Sequence, residues 1–385
     1  MKKNNSKRSK KKAIFNFLIL VLITGLVLYF SLKDNYDEII HQLRTLNWFW
    51  LMIGILLVIS YWFLRSISLH HFVKEFKSEY KFQNAFKIAL ETQFFNAITP
   101  FASGGQPFQI YSLKQDGISI TKGTNIVIQN FIVYQIALIL LGSIAVTANH
   151  FMNIFTEVGL LKQLVTIGFI ANVLVTAFLF LVAFTRKANK LIVNNILKML
   201  GKLKIIKNID ETRKKWEDYI NDFYQGAKKL IKNKKHFISL ILINLLALTS
   251  LYLVPLAILY STGDFTSFNS ITAIITSAYV MLIGSFVPIP GGTGGLEYGF
   301  MAFYGNFITG SKLTAIMLVW RLITYYFGMI VGAMAVNIKK KRWEYENWNI
   351  HRYLSTIYKW SIHKYNNVKK WSRKKRTRSI YRNRK

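Results

Sequence analysis

The sequence predicts an all-α, polytopic integral membrane protein with about six full spans and two re-entrant hairpins. Three observations predict it. Hydrophobic residues make up 52% of the 385, and mean hydropathy is +0.26. They gather in blocks of about twenty, enough to cross about 30 Å of hydrocarbon at about 1.5 Å per residue. The segments between the blocks are strongly basic, and two further apolar stretches are broken by proline and glycine.

The spans run 13–32, 48–69, 125–148, 161–185, 236–261 and 314–338, each dominated by Leu, Ile, Val, Phe and Ala. Ala13–Leu32 is too long for a signal-peptide core and no small-residue cleavage site follows, so it reads as a span. Backbone facing lipid must satisfy its own hydrogen bonds, which makes every span helical.

Lys and Arg set the orientation. Residues 1–12 carry seven, 186–235 carry fifteen and the tail from Lys339 carries seventeen, together 39 of the chain's 51. Residues 149–160 and 262–268 carry none. The positive-inside rule places both termini and 186–235 in the cytoplasm. An even number of spans satisfies that placement.

The stretches 85–112 and 269–310 each have an apolar arm, a break and a second arm. The first break is Thr99-Pro100-Phe101-Ala102-Ser103-Gly104-Gly105-Gln106-Pro107. The second is Pro288-Ile289-Pro290-Gly291-Gly292-Thr293-Gly294-Gly295. As single crossings they would invert the charge bias downstream, so they read as hairpins that return to the side they left. The order span, span, hairpin, span then occurs twice from opposite sides, the pattern of an inverted repeat. The domain reading is a basic N-terminus at 1–12, a membrane domain at 13–338 with an amphipathic cytoplasmic insert at 186–235, and a basic tail at 339–385.

Composition also excludes function classes. There is no cysteine, hence no disulfide, thiolate nucleophile or Cys-ligated metal. No Walker A or HExxH sequence is present, and no Ser/His/Asp triad can be assembled. His70 and His71 stand together at the end of a span, where an interfacial role outweighs a metal site, and no metal or cofactor is expected. The net charge of +34 raises nucleic-acid binding, but no folded recognition module lies between the spans, so a nucleic-acid partner is not expected. The tail's Trp, Tyr and Lys/Arg mixture suits anionic lipid.

Charges within apolar segments cost roughly 2.5–3.5 kcal/mol each at a helix centre, so they are the functional candidates. Arg65 and Lys87 lie near segment ends, where snorkelling explains them. Glu91, Glu297 and Arg321 are not so placed. Glu297 and Arg321 read either as a structural pair or as contacts to a lipid headgroup, with Arg321 on a phosphate. Broken segments offer backbone N–H groups to anions. The candidate lipid-binding set is therefore Gly104, Gly105, Gln106, Gly291, Gly292, Gly294, Gly295, Glu297, Arg321 and Glu91, with no catalytic residue.

The Gly104-Gly105-Gln106-Pro107 break and the run Pro288 to Glu297 resemble the membrane domain of the lysylphosphatidylglycerol synthase family, the flippase half of the multiple peptide resistance factor. The resemblance covers roughly 13–338; Gln106 departs from an acid common in the family at that position. It implies a bacterial cytoplasmic-membrane protein that moves aminoacylated phosphatidylglycerol between leaflets, lowers negative surface charge and resists cationic antimicrobial peptides. The partner implied is membrane phospholipid, and a homo-oligomer is compatible with it. The alternative is phosphatidylglycerol lysyltransferase activity, transferring lysine from lysyl-tRNA. That activity resides in a soluble domain of full-length members, and such a domain is not expected in the 47 residues after the last span.

Overall fold

A computed structural model of the chain describes residues 36–155, 159–185, 195, 224–226, 228, 231–284, 287 and 289–338. The expected span 13–32, residues 1–12, most of the insert 186–235 and the tail from Lys339 lie outside the described residues. The chain divides into a unit Met1–Val336 and a second unit Asn337–Lys385, which is almost wholly undescribed. Among the described residues there is no strand.

A short amphipathic helix, α1 (Tyr36–Arg44), buries Ile39 and packs on the start of the last span. The Asn47 side chain then accepts the Phe49 N–H at 2.9 Å and starts α2 (Trp48–Lys74). Its apolar run carries no proline, and the helix outlasts the predicted span by five residues. The first hairpin is α3 (Phe82–Ala97), a tight turn at Pro100–Ala102, and α4 (Gly105–Gln115). Ser119 caps α5 (Ile120–Met152), which ends where Asn153 turns left-handed. α6 (Gly159–Phe184) follows.

The 236–261 span is two helices, α7 (Lys234–Tyr252) and α8 (Val254–Ser261). Pro255 lacks an N–H and its ring clashes with the preceding turn, which accounts for the interruption. The second hairpin is α9 (Ser270–Gly284), a turn at Pro290–Gly292, and α10 (Gly295–Tyr304). The last span is α11 (Gly310–Arg321), a wider π turn over Leu322–Tyr326, and α12 (Phe327–Asn337).

Four of these helical runs are long and apolar enough to cross a membrane: Trp48–Lys74, Ile120–Met152, Lys234–Ser261 and Gly310–Asn337. The hairpin arms have 16, 11, 15 and 10 residues. The longest is therefore about 24 Å, short of the hydrocarbon thickness. Large apolar side chains such as Leu56, Phe63, Leu140, Phe178, Leu242 and Met334 face outward, as lipid contact requires.

α2 packs on α7 and α8, and α5 packs on α4, α7 and α9. The two breaks lie against each other. They also form one and the same turn. In each, a proline is followed by two left-handed residues: Phe101 and Ala102 at φ 54° and 50°, and Gly291 and Gly292 at φ 69° and 63°. In each, the next hydroxyl donates to the proline carbonyl at 2.9 Å, Ser103 to Pro100 and Thr293 to Pro290. Two adjacent non-glycine residues with positive φ store strain of order 1–3 kcal/mol each, which surrounding contacts must hold.

Asp264 in the α8–α9 loop accepts from Lys312 Nζ at 2.6 Å and from the Thr266 and Ser267 backbones. Burial raises its carboxyl, but these hydrogen bonds outweigh burial and hold it well below the usual carboxylate range. A lowered folded pKa stabilises fully above the unfolded value of about 3.9 and is lost as pH falls from there toward the folded one. The melting temperature of the parent should therefore fall more steeply than that of Asp264→Asn below about pH 5. Parallel melting curves across that range would remove the assignment.

Candidate functional site

The second break is clasped by the last span. Glu297 is the third residue of α10, and its Oε2 accepts the Gly294 N–H at 2.7 Å, closing the helix start. Its Oε1 lies 2.7 Å from Arg321 Nε. That N–H is not aimed at the oxygen, so the contact is Coulombic rather than a formed hydrogen bond. Arg321 Nη2 donates to the Gly291 carbonyl at 3.0 Å and reaches Thr293 Oγ1 at 3.4 Å. Both side chains are buried.

One turn later Tyr325 reaches the other way. Its hydroxyl donates to the Ala97 carbonyl, at the end of α3, at 3.0 Å. The Arg321 guanidinium sits 4.6 Å from the Tyr325 ring centre. Gly291 carries no side chain because a Cβ there would enter the Tyr325 ring. The π turn widens the helix between these two residues, and such turns recur at functional sites.

The first break is closed from within. The Gly104 N–H donates to Thr99 Oγ1 and the Gly105 N–H to Asn96 Oδ1, both at 2.9 Å. Three of the backbone donors in the two breaks are thus taken by side chains: those of Gly104 and Gly105 by Thr99 and Asn96, and that of Gly294 by Glu297. A Cβ on Gly105 would strike Asn96. Lower in this hairpin, Ser112 donates to Glu91 Oε2 at 2.9 Å, and Lys87 Nζ lies 3.6 Å from Glu91 Oε1. Glu91 therefore joins the two arms and lies apart from the Glu297–Arg321 clasp.

A polar cavity of about 80 Å³ opens beside the first break. Gln106 and Asn96 line it from the break, with Thr92, Gln93 and Gln109 from the arms. Arg65, Tyr61, Asn130 and Tyr134 close it from α2 and α5. Arg65 Nη1 donates to Asn244 Oδ1, and its guanidinium stands 4.2 Å from the Tyr134 ring centre. Asn244 donates to Ser68 at 3.0 Å, and Ser68 to Asn130 at 2.7 Å. All of these partners are neutral. Among the described residues no carboxylate lies within ion-pair distance of Arg65, whereas Arg321 and Lys87 each have one.

The structure thus places Gln106 at the cavity wall with Gly104 and Gly105 just before it in the break, and brings together Gly291, Glu297 and Arg321 in the clasp. The backbones of Gly292, Gly294 and Gly295 carry the turn between them. Arg65 is the residue that snorkelling explains away in the sequence. In the fold Arg65 lies on α2 nine residues before its end at Lys74, and its side chain turns to Asn244 and the Tyr134 ring. The amides Asn96, Gln109, Asn130 and Asn244 could have been found as polar groups inside apolar blocks.

Comparison with known proteins agrees with this architecture. A family model described as "Lysylphosphatidylglycerol synthase TM region" matches residues 16–332. A "UPF0104 membrane protein" of Archaeoglobus fulgidus is 23% identical over 334 residues, covering 84% of this chain and 96% of that protein.

Proposed function

Because this chain belongs to the lysylphosphatidylglycerol synthase transmembrane-region family, we propose that it is a flippase-like protein that passes a phospholipid headgroup between leaflets. Phosphatidylglycerol, free or aminoacylated, is the cargo class. One observation carries this reading: Arg65, a guanidinium with no carboxylate at ion-pair distance among the described residues, faces an amide-lined cavity within the helical bundle. Arg65 is half-buried, and a phosphate would neutralise it through two parallel hydrogen bonds. The side-chain amides and hydroxyls around it would take the remaining phosphate and glycerol oxygens.

In this reading Gly104, Gly105 and Gln106 form the rim over which the headgroup enters. Glu297 and Arg321 hold the second break in register with it, and Glu91 holds the arms of the first. An apolar groove of about 470 Å³, lined by Leu56, Phe63, Leu64, Leu246 and Leu253, runs along α2 and α7 and would carry an acyl chain. The membrane is the bacterial cytoplasmic membrane with both termini inside, and residues 13–338 form the transport unit.

The test is leaflet exchange in proteoliposomes. Phosphatidylglycerol with a fluorescent acyl chain is loaded into both leaflets, and an impermeant quencher is added outside. The expected result is quenching that proceeds past the outer leaflet in protein-containing vesicles only. Lysyl-phosphatidylglycerol as competitor should slow it. Quenching identical to that of protein-free vesicles would refute the proposal.

A further inference from the structure

The sequence sets His70 beside His71, but the fold separates them. His70 Nε2 lies 2.8 Å from the Tyr80 carbonyl and is engaged there. His71 instead faces His236, the third residue of α7, with ring centres 3.6 Å apart. Glu75 stands one turn after His71, at the end of α2, with its Oε1 3.9 Å from His71 Nε2. One ligand atom from each of His71, Glu75 and His236 lies within 4.8 Å of the other two. Among the described residues, His236 Nε2 is buried without a hydrogen-bond partner. A buried imidazole nitrogen left unpaired is costly and points to a ligand.

We propose that His71, Glu75 and His236 form a binding site for a Zn²⁺-class transition-metal ion that cross-links the end of α2 to the start of α7. The donor set is two imidazoles and one carboxylate, which suits zinc and its neighbours and not calcium or magnesium. At ordinary bond lengths three ligands of a tetrahedral ion stand about 3.4 Å apart, so small side-chain rotations close the site. The two His residues come from different helices, and Glu75 is exposed, which leaves the fourth position open to water. Lys74, Lys234 and Lys235 adjoin the site in sequence. Their charge opposes a cation, so the expected affinity is micromolar rather than that of a structural zinc finger.

The site lies apart from the transport reading and does not depend on it. It sits on the same α2–α7 seam as the Arg65–Asn244 contact, six residues beyond Arg65 on one helix and eight before Asn244 on the other. Occupancy would fix that seam.

The experiment is Zn²⁺ titration of the purified full-length chain against a chromophoric chelator. One ion per chain is expected. His71→Ala and His236→Ala should each weaken binding at least about 100-fold and Glu75→Gln about 10-fold, with His70→Ala unchanged. Zn²⁺ should raise the melting temperature of the parent and not of the His71→Ala/His236→Ala double variant. Melting of each metal-free variant at the parental temperature shows that it is folded. Co²⁺ should give the intense visible absorption of a four-coordinate site. Equal Zn²⁺ binding by the parent and the folded double variant overturns the proposal, as does binding equally lost in His70→Ala.

Discussion

Arg65→Gln is expected to slow phospholipid exchange roughly 10- to 100-fold while leaving the protein as abundant and as stable as the parent. The reasoning turns on what Arg65 lacks. Its contacts are an amide oxygen and an aromatic face, with no carboxylate among the described residues. Glutamine keeps an N–H donor for Asn244 and removes the unbalanced charge. An isolated Arg at a helix centre costs roughly 2.5–3.5 kcal/mol on insertion scales, so the folded state does not lose by its removal. The phosphate loses its charge-assisted partner. Such hydrogen bonds contribute about 1.5–3 kcal/mol, which corresponds to roughly 10- to 100-fold in exchange rate. Arg65→Lys should fall between, keeping the charge and losing the planar fork. Parental exchange by a folded Arg65→Gln variant would place the headgroup path elsewhere.

Glu297→Gln should have the opposite signature. Glu297 neutralises a buried Arg321 and caps α10 with its second oxygen. Removing one partner of a buried pair leaves the other charge uncompensated and costs about 3–5 kcal/mol. The variant should lose melting temperature and membrane abundance, and exchange should fall with them. Glu297→Gln combined with Arg321→Gln should recover much of the stability, because no orphan charge remains. If Glu297→Gln accumulates and melts like the parent yet loses exchange, the pair serves the cargo directly and its clasp role is secondary.

These contrasting outcomes follow from differences the sequence carries only in part. The long apolar blocks and the two proline–glycine breaks were legible because lipid imposes length and apolarity on every span. The hairpin at 85–112 appears as α3 and α4, and that at 269–310 as α9 and α10. The charged candidates Glu297 and Arg321 were legible for the same reason, since a charge in an apolar block stands out. Arg65 was not, because helix ends are poorly marked where a basic interface follows. Its side chain turns to Asn244 and the Tyr134 ring, contacts between helices that spacing along one helix does not reveal. The amides of the cavity were not legible because side chains from Thr92 to Asn130 meet only once the broken arms fold back. The glycine pairs read as open anion sites. Thr99, Asn96 and Glu297 supply acceptors for the Gly104, Gly105 and Gly294 N–H groups, and side-chain reach of that kind has no pattern in one dimension.

The wide turn at Leu322–Tyr326 has a mechanical consequence. Arg321 at one end grips the Gly291 carbonyl, and Tyr325 near the other grips the Ala97 carbonyl. The two broken hairpins, already in direct contact, are thereby also strapped to one short stretch of the last span. A shift of those five residues would be felt at both breaks at once.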